Sequence, residues 1–272
     1  MNAGWDELGS VAPTELVEAR LQAHWAAQTL SASANSVIPA QAGDTHTNLG
    51  WDRETRAFVT HPFPDGSLAA LTLHDLTLHW SPESEPGSAL ELDGRTLKEA
   101  LDWIPGAPFA LRDYDMPDHP VGTGQRFGGG DPERLAELAR WYGTADDVLT
   151  EVAASHENSS TARTWPHHFD IGLLISLEPE VDPEHAKSIG VGLSPGDGFL
   201  AQPYYYVNPY PRPAADAPPS LPSGGYWEQQ AFLGAVLTGT ALLDGGPSDG
   251  RRGRALDFLN GAIESCMGLL EP

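Results

Sequence analysis

Between residues 47 and 92 the chain lays down short segments of strand character, each cut off by glycine, proline or aspartate, and no other feature constrains its fold as tightly. The segments are Thr47–Trp51, Ala57–His61, Leu68–Leu73, Thr77–Trp80 and Ala89–Leu92. Pro64-Asp65-Gly66 and Pro86-Gly87 are turn-forming breaks between them. Strands joined by links this short pair antiparallel, because a parallel pair needs a long crossover. Helices flank the run. Thr14 can N-cap the first, with Glu15 and Glu18 in its opening turn where the helix dipole favours anions, and it extends to Ser31 or a little beyond. Thr96-Leu97-Lys98-Glu99 is a capping box that opens a short helix through Trp103.

A second pass follows an irregular stretch from Pro105 to Gly130. Gly128-Gly129-Gly130 breaks the chain, and Asp131 then caps a helix with Pro132 at its first position. That helix runs to about Tyr142 and resumes from Thr144 to about Ala154. Strands are expected at Trp165–Leu177, Ser188–Leu193, Tyr204–Val207 and Trp227–Leu237. A final helix, Arg251 to Leu270, sets Leu256, Leu259, Ile263, Met267 and Leu270 on one side. Residues 203–225 carry seven prolines and read as a semi-rigid surface excursion. The expectation is an α+β fold: an antiparallel β-meander sheet backed by helices in one compact domain, residues 14–270. The shared element order of 14–104 and 131–270 points to a pseudo-duplication, as two lobes or one continuous sheet.

Charge narrows the function. Fifteen basic residues against 38 acidic ones leave a formal charge of -23. Such a surface repels phosphate backbones and anionic lipid heads, so neither nucleic acid nor a membrane is an expected partner. Lys98 and Lys187 are the only lysines. The acidity reads as a mark of habitat and solubility, or as a surface for a cationic partner. No stretch approaches the roughly 20 apolar residues of a membrane span, and Ala231–Leu243 is the nearest. The segment Met1–Glu7 lacks the basic and apolar regions of a secretory signal. A lone cysteine, Cys266, excludes an intramolecular disulfide and a thiolate-rich zinc site. A soluble, cytoplasmic protein of bacterial type is expected.

Polar residues on core-facing positions mark candidate chemistry. On the first helix Glu15, Glu18, Gln22 and Thr29 gather on the solvent sector. Arg20, His24 and Gln28, spaced i, i+4, i+8, form a stripe flanked by Leu16, Val17 and Leu21. Long polar chains there need partners, since an unpaired buried polar group costs a few kcal/mol. The stripe is either a structural network tying helix to sheet or one wall of a polar cavity. In Trp165-Pro166-His167-His168-Phe169-Asp170, strand alternation sends His167 and His168 to opposite faces; only an irregular start after Pro166 relaxes that. His168 and Asp170 then share a face, with Gly172 leaving room beside them. A His–carboxylate pair can tune a general base or supply metal ligands. His46 and Asn48 share a face by the same spacing. Asp113–Pro120 adds three carboxylates and His119 in a loop without EF-hand spacing, which edges a pocket or is simply a solvated turn. Gly190-Val191-Gly192-Leu193-Ser194-Pro195-Gly196-Asp197-Gly198 reads as a strand ending in a turn rather than as an anion cradle. Tyr204 and Tyr206, with Trp165 and Trp227, either pack a core or line an aromatic-walled pocket. No H-E-x-x-H, G-x-G-x-x-G or phosphate-loop motif occurs.

Taken together, Ala19–Gln28, His46–Trp51, Pro117–Pro120, Trp165-Pro166-His167-His168-Phe169-Asp170, Ser194-Pro195-Gly196-Asp197 and Pro203-Tyr204-Tyr205-Tyr206-Val207 resemble an uncharacterised bacterial family, a domain of unknown function. The likeness runs from about Glu15 to Leu270. It implies one shared architecture and carries over no catalytic residue.

Two functional readings follow. In the first the chain is a small-molecule enzyme in which His168 is a general base oriented by Asp170, while Arg20 holds an anionic substrate group and His24, Gln28, His46, Asn48, His119, Trp165, Tyr204 and Tyr206 line the pocket. A metal-assisted variant recruits His24, His46, His119 and His168 to zinc, nickel or iron. In the second the chain is a non-catalytic ligand-binding or sensory domain whose aromatic wall holds a small molecule.

Overall fold

The computed structural model describes residues 3–128, 130–181, 185–213, 218–230 and 232–271. The expected break at Gly129 and parts of two expected segments, at 214–217 and Ala231, lie outside them. In chain order the helices are α1 (Ala3–Glu7), α2 (Val17–Val37), α3 (Leu97–Trp103), α4 (Pro132–Ala154), α5 (Gly239–Asp244) and α6 (Arg251–Leu270). The strands are β1 (Gly50–Asp52), β2 (Ala57–Val59), β3 (Leu68–Thr72), β4 (Thr77–Ser81), β5 (Ser88–Glu91), β6 (Arg163–Trp165), β7 (Asp170–Ser176), β8 (Ser188–Ser194), β9 (Tyr204–Tyr210), β10 (Tyr226–Glu228) and β11 (Gly234–Thr238). The fold is α+β, with antiparallel sheets backed by helices.

The chain divides into two compact units. Their boundaries fall elsewhere than the 14–104 and 131–270 halves suggested by element order. One, the meander unit, comprises Glu15–Ala139 and Arg163–Phe169. The other, the tyrosine unit, comprises Met1–Thr14, Arg140–Ala162 and Asp170–Pro272.

In the meander unit β1 to β5 pair in sequence order, as the Gly- and Pro-punctuated run requires. Phe58, Ala69, Leu71 and Leu78 are buried on this sheet, and α2 packs on β3 and α3. Thr96 caps α3 with the expected reciprocal box: its hydroxyl accepts from Glu99 N, and Glu99 returns a carboxylate to Thr96 N at 2.7 Å. The expectation that Gln22 and Thr29 face solvent is corrected, for they are 5% and 0% exposed. Helix α2 is alanine-rich and buried on most of its surface from Ala19 to Ala34. Several of its polar groups bond close by: Thr29 Oγ1 donates to Ala26 O at 2.7 Å, Ser33 Oγ to Leu30 O at 2.8 Å, and Gln22 Nε2 to Glu18 Oε1 at 2.8 Å.

In the tyrosine unit the strands run in the order β10-β11-β9-β8-β7, so the sheet is not a simple meander: β11 lies between β9 and β10. Ile171, Leu173, Ile175, Ile189, Val191, Leu193, Tyr205 and Val207 are buried on one face. Helix α6 packs on β8 and β9 through a buried stripe that includes Phe258, Leu259, Ala262, Ile263 and Cys266. Leu256 and Met267 are only half-buried, so the stripe is rotated slightly from the expected one. The expected interruption between Tyr142 and Thr144 is absent, and α4 is continuous. Thr144 sits inside it by returning its hydroxyl to Arg140 O and Trp141 O at 2.9 and 3.1 Å. Among the described residues no helix is long and apolar enough to cross a membrane.

Candidate functional site

The Trp165–Asp170 segment departs from the sequence expectation at its centre. Strand β6 stops at Trp165, residues 166–169 form a turn, and β7 starts at Asp170. Proline has no N–H for the ladder and fixes its own φ, which favours a break there. His167 and His168 therefore do not point to opposite faces of a strand. Their rings lie 4.2 Å apart at 51°. Within the turn Trp165 O accepts from His168 N at 3.2 Å and Phe169 N at 2.7 Å. Phe169 closes it with φ 58, a left-handed conformation that bulky residues rarely adopt. Such a residue costs on the order of 1–3 kcal/mol and persists where its surroundings hold it. Here the ring is buried, stacked on His24 at 4.9 Å and 6°, and set edge-on to Phe58 at 5.5 Å.

The α2 stripe supplies the anchor. His24 Nε2 and Gln28 Nε2 each lie 2.8 Å from Pro166 O. A carbonyl only accepts, so the neutral His24 ring carries its proton on Nε2. Burial pushes the His24 pKa down to about 4; the Pro166 carbonyl opposes this, and the charges of Arg20, His168 and His167 add to it. Burial likewise holds His167 at about 4, helped by His168 and Arg112 and opposed by Asp44. Arg20, His24, Gln28, His167 and His168 thus share one neighbourhood. Trp165 meets the His167 ring at 6.0 Å, and His168 is the exposed histidine of the turn.

Residues that sequence reasoning missed border the same turn. Tyr114 lies 5.5 Å from the His167 ring. Arg112 sits 5.2 Å over the Tyr114 ring and binds Asp44 at 2.7 Å. The Arg112 guanidinium holds the Asp44 carboxyl below its ordinary range. Tyr114 belonged to a loop singled out for its acids, and nothing local in the sequence pairs it with a residue fifty positions away.

The remaining candidates have partners of their own. His46 is buried in a 3-10 segment, Ala42–Thr47, rather than at the start of a strand, and Gln41 N donates to its Nδ1 at 3.3 Å. Asn48 Oδ1 accepts from His61 Nε2 at 2.8 Å. Burial, and then the Arg163 charge, lower the His61 pKa. His119 Nε2 lies 3.2 Å from Glu18 Oε1, and its Nδ1 accepts from Val121 N at 3.3 Å. Among the described residues no three His, Cys, Asp or Glu side chains gather where they could hold a metal ion.

In the tyrosine unit Tyr206 donates to Asp170, and Tyr204 donates to Asp197 at 2.6 Å. Gly190 and Gly192 lie within β8, opposite Asn208 and Tyr206. A Cβ on Gly192 would fall 2.5 Å from the Tyr206 oxygen, and one on Gly172 would fall 2.8 Å from it. The glycines are the floor on which tyrosine lies toward Asp170. Trp227 gives its indole N–H to Pro219 O at 2.7 Å.

No protein-family model, curated protein or solved structure matches this chain.

Proposed function

We propose that the chain is an enzyme acting on a small anionic molecule, and that the turn at Pro166–Phe169 carries the chemistry. His168 is the general base. It is exposed, so a substrate can reach it, and it is set on a strained turn anchored by α2. The 4.2 Å approach of the two imidazoles is the observation that carries this reading. Two rings in contact cannot both take a proton cheaply. Burial holds His24 and His167 neutral near pH 7, and His168 is the histidine of the turn that stands open to a substrate. Arg20 sets a buried positive charge beside His24, against a formal charge of -23 that elsewhere repels anions, and on this reading the substrate carries a carboxylate or phosphate ester.

The test has two arms. Inorganic phosphate and acetate, titrated separately at low millimolar concentration, should shift the His167 and His168 ring resonances saturably. In a mixture of small carboxylates and phosphate esters followed by mass spectrometry, wild type should consume a component that His168→Ala leaves at a rate at least about 100-fold lower. Ring resonances that ignore both anions sink the proposal. Turnover unaffected by His168→Ala overturns the assignment of His168 as the base, and saturable binding with no turnover assigns a non-catalytic binding domain instead.

A further inference from the structure

A pocket of about 310 Å³ opens in the meander unit, and it includes none of the residues of the histidine turn. That volume lies at the lower end of the range for small-ligand sites, about 300–1,000 Å³. One side is aromatic: Phe63 and Trp80 stack with centroids 5.3 Å apart and planes at 27°. Val37, which is 39% exposed at the end of α2, and Pro105 continue the apolar lining. Asp65 stands at this lining on the turn between β2 and β3. Its Oδ1 accepts from Ser67 N at 3.0 Å and Ser67 Oγ at 2.5 Å, and Ser67 is buried. The carboxylate is therefore fixed in orientation by one oxygen while the other remains available. A second carboxylate lies near this turn: Glu83 Cδ lies 2.9 Å from where a Gly66 Cβ would sit. None of the described lining residues is basic.

An apolar, aromatic-walled cavity with an oriented carboxylate at its edge selects for an apolar body bearing one positive charge. The aromatic faces attract a cation as well as an apolar surface, and an acidic chain raises the local concentration of cations. We infer that this pocket binds a small organic cation, an amine carried on a ring-sized apolar group. The site does not depend on the reading given to the histidine turn.

Three probes of one shape test it by calorimetry and by the Trp80 indole resonance: 2-phenylethylamine, 2-phenylethanol and 3-phenylpropanoate. The amine should bind saturably and shift Trp80, the alcohol should bind about two- to fivefold more weakly, and the carboxylate should be weakest. Asp65→Asn should bring amine and alcohol to equal affinity while alcohol binding persists. Raising salt from 0.05 to 0.5 M on the wild type should narrow the amine preference in the same direction, a readout that does not depend on the variant folding. The inference is overturned if no probe binds saturably, if the carboxylate binds as well as the amine, or if the preference survives both Asp65→Asn and high salt.

Discussion

The neutral His24 makes a pH prediction that can be worked through. The ring is buried beside Pro166 O and titrates at about 4 instead of the ordinary 6.5. The unfolded chain therefore binds a proton that the folded chain refuses between those two values. Stability from this group is complete above pH 6.5 and falls as the pH drops toward 4. At about 1.4 kcal/mol per pH unit, the loss is about 3 kcal/mol by pH 4. His24→Gln isolates it. Glutamine keeps an amide N–H that can reach Pro166 O but has no proton to gain, and every other titrating group, His167 included, is common to both chains. At pH 7 the variant should be less stable by about 1 kcal/mol for the lost stack on Phe169. As the pH falls the gap should close and then reverse, because only wild type carries the His24 penalty. Urea midpoints at pH 7, 6, 5 and 4, monitored by tryptophan fluorescence, give the comparison. A gap that stays constant across that range refutes the reasoning, since it means His24 titrates alike in both states.

Two substitutions test how the fold is held. Thr96→Ala removes the hydroxyl that accepts from Glu99 N and should cost about 1 kcal/mol; Thr96→Ser should restore most of it by urea titration. Gly192→Ala places a methyl 2.5 Å from the Tyr206 oxygen and 2.6 Å from Ile171 O. Backbone cannot yield as a side chain can, so the loss should be about 2–3 kcal/mol, and Tyr206→Phe combined with it should recover only the part owed to the hydroxyl.

Much of the fold was legible because its signals are local. The strands of the meander begin within a few residues of where alternation and turn residues place them, and α6 and the α3 capping box stand as read. Where the reading failed inside helices, hydrogen bonds one turn away had satisfied polar groups that residue type alone places at a break or in solvent. The break expected between Tyr142 and Thr144 does not occur, and Thr144 satisfies its hydroxyl on the helix's own backbone. Gln22 and Thr29 share a helical sector with Glu15 and Glu18 that reads as solvent-facing, yet hydrogen bonds within α2 accompany the burial of both. The swapped order of β10 and β11 has no local signature.

The histidine turn makes the same point about function. The stripe Arg20, His24, Gln28 was visible as polar groups on a core-facing side, and the need for partners was sound. What His24 and Gln28 satisfy is a backbone carbonyl, Pro166 O, which residue types do not advertise. Alternation would have separated His167 from His168 had the strand continued. It does not, because proline interrupts the ladder and Phe169 accepts a left-handed conformation that its burial against His24 and Phe58 can support. His24, one of the two α2 residues that hold Pro166, thus also holds the strained residue that brings the imidazoles together. Loosening Phe169 should therefore separate the rings before it unfolds the unit. Phe169→Gly, which removes both the strain and the stack, should raise the His167 pKa from about 4 toward the ordinary histidine range in an NMR titration, as water reaches the ring and His168 moves away. A His167 pKa unchanged in that variant would mean the turn is set by Pro166 alone.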